Sequence, residues 1–77
     1  MRKLILSVPV FEVINVSMLC IGDKFEFDFD DDKELNIYMG IHTYDRIDYI
    51  IYKSHKTGTP KIRQLSDVKI VSRKTTL

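Results

Sequence analysis

The sequence predicts a mostly β chain of five or six short antiparallel strands with a one-turn helix before the last strand. Three observations lead there. Apolar and polar residues alternate with a period of two along much of the chain, which suits a strand because successive side chains point to opposite faces of a sheet. Turn residues punctuate these runs at Asp30-Asp31-Asp32-Lys33, at Asp45-Arg46 and at Lys56-Thr57-Gly58-Thr59-Pro60. A chain of 77 residues fills only one hydrophobic core, so residues 1–77 are expected to form a single domain.

The first 21 residues are apolar but lack a clean period. Two strands are expected there, at residues 3–7 and 10–16, with Pro9 at an edge or corner where its missing N–H costs least. A helix over residues 10–19 is the alternative, disfavoured because valine and isoleucine lose rotamer freedom in helices. Pro9, Glu12 and Asn15 interrupt the run, which falls short of the roughly 20 apolar residues of a helical span. No membrane segment or cleaved leader is therefore expected.

The clearest strand is Lys24-Phe25-Glu26-Phe27-Asp28-Phe29-Asp30, where phenylalanines alternate with charges and one face must be core. The adjacent aspartates that follow suit a solvated turn. Residues 35–44 alternate again, with Leu35, Ile37, Met39 and Ile41 on one face and Asn36, Tyr38, Gly40 and His42 on the other. Asp45-Arg46 marks a tight reversal into Ile47-Asp48-Tyr49-Ile50-Ile51-Tyr52, a run rich in β-branched and aromatic residues. Beyond the Gly58 turn come a short strand at residues 61–65, a helical turn at Ser66-Asp67-Val68, a last strand at residues 69–72 and a frayed tail at residues 73–77.

Composition narrows function mainly by exclusion. Net charge is +1, so the chain lacks the global field of a general nucleic-acid binder. Charge is nonetheless segregated, with acids crowded into residues 23–34 and bases into residues 46–74. Cys20 is the only cysteine, so no internal disulfide can form, and the cysteine usage fits the cytoplasm. No Cys/His cluster has zinc spacing, and no cofactor is expected. His42 and His55 stand alone in the sequence, and nothing resembles a nucleophile elbow or a phosphate loop, so the chain is read as non-enzymatic.

Ile21-Gly22-Asp23-Lys24-Phe25 resembles the glycine-aspartate entry to the first strand of an SH3-like barrel of the Tudor or KOW kind. Gly40-Ile41-His42 is similar to the bent second strand of that fold, residues 47–52 to its third, and residues 62–71 to its two short closing strands joined by a helical turn. The resemblance covers residues 21–72 and implies a small barrel preceded by an N-terminal extension. The tryptophan of a peptide-binding SH3 groove and a methyl-lysine cage are absent, so the resemblance implies neither ligand class.

Two candidate surfaces follow from the residues themselves. Asp28, Asp30, Asp31, Asp32 and Glu34 form an acidic turn that could steer a basic protein partner. They fail as a calcium loop, since from Asp28 the positions that need glycine and glutamate hold Lys33 and Met39. Tyr38 and Tyr52 join this protein-binding candidate, being expected on the exposed face opposite Ile47, Tyr49 and Ile51. The second surface is basic, with Arg46, Lys53, Lys56, Lys61 and Arg63 as candidates to neutralise nucleic-acid phosphates. For each the bland alternative is solvated charge that keeps a small β domain from aggregating. The leading expectation is a small protein-binding adaptor or inhibitor of the kind phages and mobile elements encode. Nucleic-acid binding is the alternative, and self-association through the apolar N-terminal segment is a third.

Overall fold

The computed structural model describes residues 9–28 and 34–76. Six strands follow in chain order: β1 (Pro9–Asn15), β2 (Lys24–Phe27), β3 (Asn36–Tyr44), β4 (Ile47–Ser54), β5 (Pro60–Gln64) and β6 (Ile70–Thr76). A 3-10 turn at Val16–Met18 follows β1, and a second at Leu65–Asp67 separates β5 from β6. All neighbours pair antiparallel in one sheet of order β1-β6-β2-β3-β4-β5. The chain is thus mostly β, as predicted. The strand expected at residues 3–7 and the turn at residues 30–33 lie outside the described residues.

A single sheet can bury its apolar face only by curling over it. The ring contacts show that it does. Tyr52 on β4 packs edge-on against Phe27 at 4.9 Å and against Phe25 at 6.0 Å, although β3 lies between β2 and β4. Arg63 on β5 sits over the Phe27 ring at 5.2 Å, three strands away along the sheet. Phe25 and Phe27 form the centre of the core, and Ile14, Val16, Leu19, Ile50, Val68 and Val71 complete its wall.

Turn chemistry explains the connections. Asp45 and Arg46 both take positive φ (51° and 66°), the mirror-image two-residue turn whose twist matches that of a hairpin. Gly58 at φ 73° lets the β4–β5 loop close, its N–H donating to the Ser54 carbonyl at 2.7 Å. Asn15 ends β1 by turning its side-chain oxygen to accept from the Ser17 N–H at 2.9 Å, which caps the first 3-10 turn.

Three expectations change. The first concerns the faces of β3 and β4. Tyr38 (7% exposed) and Tyr52 (3%) belong to the core, whereas Met39, Ile41 and Ile47 are exposed and Tyr49 and Ile51 half-buried. Because β4 is apolar on both faces, alternation alone cannot choose between them, and the Phe25–Phe27 pair decides by taking Tyr52 as its third ring. A bulge between Tyr38 and Gly40 then shifts the phase of β3, so Asn36, Tyr38 and Ile41 oppose Ser54, Tyr52 and Ile50 on the inner side.

Second, the tail is no frayed end. Residues through Thr76 continue β6, because β1 supplies a partner from Pro9↔Thr76 to Asn15↔Ile70 while β2 pairs on the other side. Arg73 is the clasp: its guanidinium donates to Glu12 at 3.0 Å and lies 3.6 Å from Asp23, joining β1, β6 and the entry to β2. Third, the last helical turn begins one residue earlier than the Ser66-Asp67-Val68 predicted, which leaves Val68 free to enter the core.

Candidate functional site

The acidic residues are partly structural. Asp28 is exposed at the end of β2 and accepts from the Ser72 hydroxyl at 2.7 Å. Asp30, Asp31 and Asp32 lie outside the described residues. Glu34 is half-buried, and its carboxylate accepts from the hydroxyl of buried Ser54 and meets Lys61 at 4.0 Å. Its carbonyl accepts from the side-chain amide of buried Asn36 at 3.1 Å. Glu34 thus ties the start of β3 to β4 and β5. Tyr38 and Tyr52, expected as exposed aromatics, are core residues, so a binding role through an exposed ring is corrected for both. Burial, and secondarily the nearby Cys20, pushes the Tyr38 hydroxyl above its ordinary range.

The five basic candidates do not form one surface. Lys53, Lys56 and Lys61 gather near the β4–β5 turn, as the register Lys53↔Pro60 requires. Arg46 occupies the opposite end of β4, at the β3–β4 turn. Arg63 points inward, stacked on Phe27 and donating to the Tyr52 hydroxyl at 3.4 Å. Lys61 faces Glu34. Among the described residues, Glu34 and Asp23 of the acidic run meet Lys61 and Arg73 of the basic one across strands. Among the described residues, no group of three or more histidines, cysteines or acids could hold a metal ion.

A feature that alternation did not reveal lies at the Arg46 end. There the inner face of the curled sheet stays open as a cleft of about 560 Å³. Its walls are the β3–β4 tip and the two 3-10 turns; Val16, Ile41, Ile47 and Leu65 give it an apolar floor, and polar side chains from the turns, Ser17, Gln64 and Ser66 among them, line the rest. Ile41 and Ile47 are 42% and 39% exposed beside it, although Ile41 pairs with wholly buried Ile50. Arg46 and Lys69 supply two cations to the lining, against one acid, Asp48, which already accepts from the Thr43 hydroxyl. The volume falls within the roughly 300–1,000 Å³ of ligand clefts, whose lining joins apolar side chains to polar groups that fix orientation. The sequence signal was faint: isoleucines flanking a turn that needs positive φ, and Leu65 beside a helical turn.

No known protein family, no curated protein and no solved structure matches this chain. Among the described residues, no helix is long and apolar enough to cross a membrane.

Proposed function

We propose that this chain is a non-enzymatic protein-binding module built as an SH3-like barrel, and that it docks an extended apolar segment of a partner protein in the cleft beside Arg46. The connectivity supports the fold reading. Strands β2 to β5 follow in order across the sheet, a 3-10 turn comes next, and β6 returns beside β2, in line with the resemblance over residues 21–72. The single observation that carries the functional reading is the cleft itself, where Ile41, Ile47 and Leu65 meet water beside the core. Two cations against one engaged acid favour a segment that carries a carboxylate next to its apolar residues. The lone exposed Cys20 fits work in a reducing compartment.

Selection from a displayed random-peptide library, followed by NMR titration of the selected peptides, tests this reading. Apolar peptides with a flanking acid should emerge, shift the resonances of Ile41, Ile47 and Leu65, and bind at least about tenfold more weakly to Arg46→Glu/Lys69→Glu. Selected peptides that shift other residues, or a selection that yields none, would contradict it.

A further inference from the structure

We infer that the free edge of β1 pairs with the β1 edge of a second copy of this chain, joining two sheets into one through an antiparallel strand pair about a two-fold axis. The inference goes beyond the cleft and uses different residues.

The ladder shows which groups point away from β6. The Val16 N–H donates to the Lys69 carbonyl at 2.8 Å, which makes Val16 and Lys69 a hydrogen-bonded pair. Stepping back by twos in the β1–β6 register, Ile14, Glu12 and Val10 also direct their N–H and C=O groups at β6. Phe11 and Val13 lie between them and direct theirs away, at the free edge. Their side chains stand on the outer face, 47% and 67% exposed. Among the described residues no strand lies beyond β1.

A second copy fits this edge for three reasons. An antiparallel pair of identical strands matches outward-facing donors to outward-facing acceptors and brings Phe11 and Val13 together across the seam. The one charge within the strand, Glu12, is met by Arg73 of its own chain at 3.0 Å, so the two edges approach without a net repulsion from that residue. The two-fold pairing is also closed, using the β1 edge of both copies and leaving, among the described strands, β5 at the ends of the combined sheet. Two seven-residue strands give a contact at the low end of interface sizes, so dissociation in the micromolar range is expected.

Val13→Pro separates this pairing from folding, because it deletes an N–H that the β1–β6 ladder does not use. Sedimentation of the full chain from low micromolar to millimolar concentration should show wild type rising toward twice the monomer mass. Val13→Pro and Val13→Lys should each raise the dissociation constant about 30-fold, one hydrogen bond being lost per copy in the first. Ile62→Lys on β5 should leave it unchanged, and circular dichroism should report a folded chain in all three. Wild type that stays monomeric throughout would overturn the inference, as would β1 variants that dimerise like wild type. So would Phe11 and Val13 amides already protected from exchange in the dilute monomer, the result if residues 1–8 of the same chain cover the edge.

Discussion

β1 and β5 are both edge strands of the same sheet, yet they meet an approaching chain with different chemistry. β5 opens with Pro60, which has no N–H to offer, and places Lys61 and Arg63 on its inner side across from Tyr52 and Ile50. Inward-pointing charge on a short strand discourages a further strand, because stacking another sheet edge there would desolvate it. β1 is longer, presents Phe11 and Val13, and has its one acid held by Arg73. Both strands carry their charges on the inner face; β1 has a single acid matched by Arg73, whereas β5 has two cations and begins with a proline. Arg63 does two jobs in β5, closing the core over Phe27 while guarding the edge.

That comparison can be broken most severely from the core. Phe27 is the ring on which Tyr52 and Arg63 both rest, so Phe27→Ala should cost about 3–5 kcal/mol in urea unfolding. Hydrogen exchange on the folded fraction should show β5 opening before β1. A more selective change removes the guards alone. The triple variant Pro60→Thr/Lys61→Val/Arg63→Val turns β5 into a second bare edge, and sedimentation should then show species larger than a dimer, because two open edges no longer close.

Smaller effects sharpen the picture. Arg46 sits at φ 66°, where a side chain is strained, so Arg46→Gly should stabilise the β3–β4 hairpin by about 1 kcal/mol in thermal unfolding. The same change should weaken peptide binding in the cleft and leave β1 pairing untouched. The least effect is alkaline. Tyr38 has its pKa raised by burial, so the native state keeps this proton to higher pH than the unfolded chain does. Stability from this group is whole below the ordinary tyrosine value of 10.0 and falls as pH rises through the raised one. Tyr38→Phe should flatten that loss in unfolding measured across the alkaline range.

Much of the fold was legible because local chemistry was unambiguous. The Phe25–Phe27 alternation, the Asp45-Arg46 reversal and the Gly58 turn each have one physical reading, and each recurs in the structure. The faces of β3 and β4 were not legible, since Ile47 to Tyr52 is apolar on both sides and the deciding ring contacts come from a strand distant in sequence. The bulge beside Gly40 compounded the error by reversing the phase within β3. The extent of β6 was hidden for a related reason: residues 73–76 look like a polar tail until β1 is placed beside them. Candidate sites fared less well. Charge runs suggested two opposed patches, but Glu34–Lys61 and Asp23–Arg73 pair acids of the first run with bases of the second. The cleft depends on how far the sheet curls, which one-dimensional alternation does not encode.

Residue-resolved amide exchange of the wild-type chain over a concentration series tests the difference between the two edges most directly. Phe11 and Val13 point their N–H groups outward from β1. Ile62 and Gln64 do so from β5, because the Ser54 N–H donates to the Thr59 carbonyl and fixes the alternation. Protection at Phe11 and Val13 should rise with concentration while Ile62 and Gln64 exchange freely throughout. Protection that grows at Ile62 and Gln64, with Phe11 and Val13 unchanged, would show that the open edge is β5 and contradict the assignment.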